Sequence, residues 1–386
     1  MDIALSEEQE LLKSSLQRFL RDNYDFATRQ KVVAREAGWS RELWRELTGL
    51  GLLAAPLTED AGGLGGGPVA SMIIMQEFGC NLVVEPFLET VIGAAQTLEA
   101  SGSAEQKARF LPPILDGQSI WALAFAEPRG RFDLEHVTTR AERQGDSYVL
   151  TGRKSAVSAA PWADHLIVSA RTSGSARDGQ GISLFAVDRT SPRLSLQGYR
   201  TIDSRAAADV TLDGVSVPAS NMIGPEGAGL AILEACRNRL IIAQGAEAVG
   251  AMLALNAATL EYTKARKQFG VPLGSFQVLQ HRMVDMFIAQ EEALSLMQHA
   301  TLALASDEAG LSRLASGAKS RIGEASRFVA EQAIQLHGGM GMSDELNVGH
   351  YAKRITVINS QNGDPGFHLL RFAGLTRSAR TMPSAA

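Results

Sequence analysis

The hydrophobic period changes twice along this chain, and few folds accommodate that order. Up to about residue 118 the apolar positions recur at helical spacing: Leu11, Leu12, Leu16, Phe19 and Leu20 share one face, and Trp44, Leu47, Leu50 and Leu53 another. From about Ser119 to Val217 the pattern shortens to β-prone segments, SIWALAFAEP, SYVLTGRKSAV, DHLIVSART, GISLFAVDR and DVTLDGVSV. Turn signals at Gly145-Asp146, Asp178-Gly179 and Asp213-Gly214 punctuate them, and TSGSARDGQG at 172–181 reads as an exposed hairpin tip. Strands that follow one another without helices between them predict an antiparallel barrel or sandwich. After Gly224-Pro225-Glu226-Gly227 the helical period returns in three long runs: to Phe269, from Ser275 to about Ser306, and from about Leu311 to His337. The expectation is an α+β protein: a helical domain over 1–118, a β domain over 119–223 and a helical bundle over 224–386.

Composition narrows the function classes. A chain of 386 residues, 45% hydrophobic and 20% charged, buries a sizeable core. A net charge of -5 with scattered basic residues gives no footprint for nucleic acid. Cys80 and Cys236 stand far apart, outside any CxxC spacing, so neither a disulfide framework nor a thiolate metal site is indicated. The acidic, amphipathic start MDIALSEEQELLKSSLQRFL is unlike a signal or transit peptide. No unbroken apolar run reaches membrane length, and Met382-Pro383-Ser384-Ala385-Ala386 is not a peroxisomal address. Cytoplasmic residence is the expectation. The run AGGLGGG at 61–67 lacks GxGxxG spacing and follows helix rather than strand, so it reads as a flexible connector.

The stretch from Leu260 to Gln280 carries the first chemistry. A basic helix end with Lys264, Arg266 and Lys267 runs into Phe269-Gly270, and Pro272 stops the helix because it lacks an N–H and clashes with the preceding turn. Ser275 is placed to cap a second helix bearing Phe276, Leu279, Met283, Met286 and Phe287 on one side. A planar guanidinium beside an aromatic ring suits a phosphate-bearing aromatic ligand. A solvated basic helix end followed by a buried Phe is the plainer reading of the corner alone.

Six stretches in order make the chain resemble the acyl-CoA dehydrogenase family over nearly its whole length. They are Ala126-Glu127-Pro128, LTGRKSAVS at 150–158, WADHLIVSART at 162–172, DGVSVPASNMIGPEGAGL at 213–230, ARKQFGVPLGSFQ at 265–277 and IQLHGGMGM at 334–342. The resemblance implies that family's fold, with a middle antiparallel β-barrel and a C-terminal four-helix bundle. It implies FAD, its ADP half bound across a subunit interface by Arg266, Phe269, Gln277, Gln335, Gly338 and Gly339. The flavin ring would lie against Phe125, Ala126 and Ser158. It further implies an acyl-CoA substrate, with electron-transfer flavoprotein as acceptor. The acyl pocket would be lined by segments including Gly79 to Glu85 and Gly245 to Met252. Departures are specific: Ala126 stands where a threonine is usual, Ala156 where an aromatic is usual, and Arg129-Gly130-Arg131-Phe132 replaces a stretch rich in glycine and serine.

The family's reaction needs a carboxylate to remove a weakly acidic α-proton. In most members a glutamate followed by Gly-Thr supplies it, yet the corresponding window Thr356 to Gly366 reads TVINSQNGDPG and holds no glutamate. A second branch carries its glutamate early in the preceding long helix, and the matching positions here are counted as Leu240 and Ile241. Asp364 and Glu247 remain as substitutes for a catalytic base. For Asp364, between Gly363 and Pro365, an Asx-turn is the plainer role; for Glu247, a buried hydrogen-bonded glutamate or an ion pair. HYAKR at 350–354, Asn362-Gly363-Asp364 and His368-Leu369 resemble the small subunit of α2β2 members, of the pimeloyl-CoA dehydrogenase and sterol side-chain kind. That resemblance implies fatty acid or sterol side-chain β-oxidation in a heterotetramer, with a homologous glutamate-bearing subunit as partner. His350 and His368 have no carboxylate or thiolate cluster around them that would mark a metal site.

Overall fold

Ser6 starts the first helix as the spacing predicts, accepting from Gln9 N while the Gln9 side chain returns to Ser6 N, a complete capping box. The computed structural model describes residues 5–307 and 309–381, and every statement of structure here concerns those residues. The terminal run Met382–Ala386 lies outside them. The helices are α1 (Glu7–Asn23), α2 (Phe26–Ala34), α3 (Arg41–Gly49), α4 (Gly67–Asn81), α5 (Gln96–Ser101) and α6 (Ala104–Leu115), with a π-helical Leu88–Ala95 before α5. After the strands come α7 (Gly229–Ala265), α8 (Gln277–Ala305), α9 (Leu311–His337), α10 (Asn347–Ser360) and α11 (Pro365–Thr381).

The strands are β1 (Trp121–Ala124), β2 (Arg140–Gln144), β3 (Ser147–Ser158), β4 (His165–Arg171), β5 (Ile182–Asp188), β6 (Leu194–Arg200), β7 (Ala206–Pro218) and β8 (Met222–Ile223). They form one sheet in the order β6-β7-β3-β2-β4-β5-β8, with β1 beside β4. Most pairings are antiparallel, but β1 and β2 both meet β4 in parallel, so the sheet is mixed rather than purely antiparallel. The loop at 172–181 is the tip between β4 and β5, tied by Thr172 N to Gly181 O at 2.9 Å.

Two compact units result. The sheet unit comprises Val32–Gly67 and Val84–Leu240; the helical unit comprises the chain up to Lys31, Pro68–Val83, and everything from Ile241. In the sheet unit the 61–67 run is a bonded turn rather than a flexible connector: Gly63 N meets Thr58 O, Gly65 N meets Leu57 O and Gly66 N meets Ala55 O. A Cβ on Gly63 would sit 2.3 Å from Leu57 O, so glycine there permits a close backbone approach.

In the helical unit α9 is the central element, packed on α8, α10 and α11. α4 crosses α7 at two glycines: an added Cβ would lie 2.0 Å from Glu247 O at Gly79 and 1.9 Å from Gln76 O at Gly250. Backbone meets backbone there, so Gly79 and Gly250 close a helix crossing. α7 carries an 18-residue window of mean hydropathy 1.4, apolar and long enough by composition to cross a membrane, of which 78% is buried in the protein. That is the pattern of a core helix.

Candidate functional site

The corner after α7 is a miniature hairpin. Lys267–Gln268 (β9) pairs with Val271–Pro272 (β10) in the register Gln268↔Val271. Phe269 and Gly270 form the two-residue turn, with φ of 52° and 83°. Two consecutive left-handed residues match the right-handed twist of a hairpin, and a phenylalanine pays strain to be one of them. Its ring is 92% exposed, neither the buried Phe of the plainer reading nor a core residue. Arg266 is exposed and its guanidinium makes no bond among the described residues, whereas Lys264 is taken by Glu261 at 2.8 Å.

Ser275 does not cap α8. Its hydroxyl donates to Pro272 O at 2.6 Å inside the 3-10 turn Leu273–Ser275, and the cap position falls to Phe276, without a side-chain bond. The polypeptide needs one more turn than the sequence spacing suggests because the hairpin consumes residues 267–272. Gln277 then opens α8, exposed.

The second half of the predicted ADP site is the end of α9. Gln335, Gly338 and Gly339 are exposed, Gly338 has φ of 61°, and a Cβ on either glycine would meet nothing within 4 Å. What brings this turn to the corner is a contact the sequence reading missed. The rings of Tyr262, on the last turns of α7, and His337, the last residue of α9, stack with centroids 4.3 Å apart, and Tyr262 Oη donates to His337 O at 3.3 Å. His337 Nδ1 is held by Ala333 O at 2.8 Å, and burial pushes the imidazole below its ordinary value, so it stacks as a neutral ring. An aromatic three residues before a basic helix end, with a histidine directly before Gly-Gly, was the available signal.

In the sheet unit, Phe125 and Ala126 follow β1 and are half-buried. Ala126 O accepts from Ser155 N at 2.9 Å, which lays them beside the end of β3, where Ser158 pairs with Ala207. The register shifts between Lys154 and Val157, and Ala156 bulges with φ of 51°, its N–H held by Asp209 at 2.9 Å. Beneath lies a fully buried ion pair, Lys154 Nζ to Glu127 Oε1 at 2.7 Å. Burial alone would raise the Glu127 carboxyl; Lys154 and the donors of Thr138 and Thr139 overcome it and hold it at about 2. Glu127 is therefore part of the scaffold under the predicted flavin face.

Neither substitute base is available as such. Glu247 is fully buried and closed bidentately by Arg354, with Nε to Oε1 at 2.7 Å and Nη2 to Oε2 at 2.6 Å. Asp364 is the N-cap of α11: its Oδ1 accepts from Phe367 N at 2.7 Å, and Pro365 takes the first helical position. Leu240 and Ile241 are buried apolar residues. Just before them stands a polar run in an apolar helix that the count passed over, Arg237 and Asn238 buried and Arg239 half-buried. Arg237 reaches Glu234 and Phe132 O, and Arg239 reaches Thr97 at 3.1 Å. His368 Nε2 faces Asn362 O and His350 Nε2 faces Asp344 O, so each ring is engaged by a backbone carbonyl.

These residues fit the ADP half of a dinucleotide. An unpaired guanidinium stands beside an exposed ring, and the glycine backbone next to them is open to close approach.

Comparison with known proteins agrees. The acyl-CoA dehydrogenase N-terminal, middle and C-terminal domain models match residues 6–118, 122–215 and 227–371. The acyl-CoA dehydrogenase FadE12 of Mycobacterium tuberculosis is 31% identical over 327 residues, 82% of each chain. Among solved structures, the Tcur3481-Tcur3483 steroid ACAD is 30% identical with a TM-score of 0.88, covering 97% of this chain and 99% of that one. Butyryl-CoA dehydrogenase from Megasphaera elsdenii is 26% identical with a TM-score of 0.91, covering 98% and 100%. With all three domain models in order and a relative this similar over four-fifths of its length, the chain belongs to the acyl-CoA dehydrogenase family, whose cofactor is FAD.

Proposed function

We propose that this chain is the base-lacking subunit of a heteromeric FAD-dependent acyl-CoA dehydrogenase, its partner a homologous chain that carries the catalytic glutamate. The observation that carries the reading is the pairing of intact cofactor groups with committed carboxylates. The Arg266 guanidinium makes no bond among the described residues and the Phe269 ring, edge-on to Phe276, is largely exposed, while Glu247 is closed on Arg354 and Asp364 caps α11. The relative named as a Tcur3481-Tcur3483 steroid ACAD supports a two-component assembly and a steroid-type acyl group.

Bound FAD supplies the acceptor for a hydride from the β-carbon of an acyl-CoA thioester. The residues of this chain bind and orient. Arg266 offers its fork to the pyrophosphate, Phe269 its face to the adenine, and Gln277 and Gln335 polar groups beside them. Gly338 and Gly339 let the backbone approach. On the sheet unit, the Ser158 hydroxyl faces the flavin edge, with Phe125 and Ala126 beside it. The α-proton goes to the partner's carboxylate, because removing it needs an available ionised acid and the two candidates of this chain, Glu247 and Asp364, are committed to Arg354 and to the cap of α11. Electron-transfer flavoprotein as acceptor and cytoplasmic residence complete the proposal.

Co-expression with a glutamate-bearing homologue tests it. The expected result is a copurifying pair that holds FAD and turns over acyl-CoA, with activity lost when the homologue's glutamate is changed to glutamine. Copurification without FAD or turnover would leave a scaffold role in its place.

A further inference from the structure

Where α7, α9 and α10 pack together, two buried cations, Arg354 and Lys319, lie about one buried carboxylate, Glu247. Glu247 of α7 is closed bidentately on Arg354 of α10, and Arg354 is 2% exposed. Lys319 of α9 is also 2% exposed, and no carboxylate of the described residues lies at ion-pair distance from it. Its Nζ donates to Ile358 O, in the last turn of α10, at 2.6 Å, and lies 3.5 Å from Gln244 Oε1. Gln244 in turn holds the loop after α10. Its Nε2 donates to Gln361 Oε1 at 3.0 Å, and its Oε1 accepts from Asn362 Nδ2 at 3.1 Å. His368 of α11 fastens the far side, its Nε2 2.9 Å from Asn362 O. One amine thus reaches the Gln361 and Asn362 side chains of the loop through a single glutamine.

We propose that Lys319 is a positioning residue that acts as a proton-operated latch on the loop Gln361–Asp364: the neutral amine keeps the loop shut, and the ammonium, a second interior cation without a carboxylate of its own, loosens it.

The charges around Lys319 fix the direction. Burial opposes its protonation first, Arg354 of α10 opposes it next, and Glu247 of α7 favours it; together they push the amine down to about 7. α7 otherwise presents the neutral Gln244, and α11 presents His368, engaged by the loop carbonyl. On α8, Glu292 is paired with Arg321 at the surface of α9. The partial negative charge of the α10 carbonyl end eases the ammonium without supplying a full counter-charge. Opening the loop admits water and returns the amine toward its ordinary lysine value, so the open form binds the proton more tightly. By linkage, the closed form gains from about pH 7 upward and is weakest, at a constant level, below it.

Amide hydrogen exchange of the full chain, read on a peptide spanning residues 359–366 and corrected for the intrinsic rate, tests the latch. The expected result is a protection factor that rises about tenfold or more between pH 7 and pH 9, since each unit of this window allows at most about tenfold. Lys319→Met should abolish that rise. Lys319→Gln, which keeps a donor for Ile358 O, should do the same and decides the matter if the methionine variant fails to fold. Gln244→Leu should lower loop protection at both pH values while leaving the amide exchange of α9 unchanged. A flat wild-type profile, a rise that persists in both Lys319 variants, or a change confined below pH 7 overturns the proposal.

Discussion

The corner at 266–277 and the loop at 361–364 lie in the same helical unit and treat their chemistry in opposite ways. At the corner, the Arg266 guanidinium makes no bond among the described residues and Phe269 is 92% exposed on a strained turn. At the loop, every polar side chain is engaged within the chain: Gln361 and Asn362 by Gln244, and Asp364 by the first turn of α11. Strain and exposed aromatic surface persist where something outside the chain repays them. Polar groups satisfied from within are a mark of scaffold. On the proposed reading, the contrast is between a cofactor grip that is kept and a window, resembling that of the family's usual base, whose polar groups are taken up by the fold.

The largest expected effect tests the scaffold side. Glu247→Ala removes the carboxylate that closes bidentately on buried Arg354 beside Lys319, so unfolding stability should fall by about 3–5 kcal/mol in denaturant titration. If instead turnover disappeared at unchanged stability, Glu247 would be a base and the comparison would break. Next comes the grip: Arg266→Ala should weaken FAD retention about 10- to 100-fold, because a phosphate loses a charge-assisted bidentate partner. Stability should stay within about 0.5 kcal/mol, as for other exposed substitutions. Unchanged flavin occupancy after gel filtration would remove the corner from the site.

Phe269→Gly separates grip from fold within one residue. The ring is lost, so FAD retention should weaken about tenfold. Glycine adopts the left-handed turn without strain, so thermal stability should hold or rise slightly. A loss of both would make the ring structural. The smallest effect belongs to Asp364. Asparagine keeps the cap and should alter neither stability nor turnover measurably, whereas alanine should cost about 1 kcal/mol. Turnover that failed in Asp364→Asn at full stability would restore Asp364 as the base.

Much of this was legible in the sequence because its signals are local. Period, turn residues and Gly-Gly after His337 fix the element order, and Asp364-Pro365 carries its own cap signature. At the corner, side-chain chemistry suggested a phosphate-bearing aromatic ligand, and the resemblance to the family made the assignment. What escaped depends on contacts distant in sequence. The Tyr262–His337 stack joins residues 75 apart, and the Glu247–Arg354 pair joins residues 107 apart. No spacing rule announces either. The crossing of α4 on α7 at Gly79 and Gly250 is of the same kind: only the fold says that backbone approaches there. Ser275 misled locally, because a two-residue hairpin moved the start of α8 past it.

The most direct measurement loads the purified chain with FAD, without any partner, and follows the flavin absorbance anaerobically as straight-chain and steroid-type acyl-CoAs are added. The account predicts that the yellow band persists with the chain alone and bleaches within turnover time once the glutamate-bearing homologue is supplied. Rapid bleaching by the isolated chain would contradict it, for it would mean that a carboxylate of this chain removes the α-proton after all.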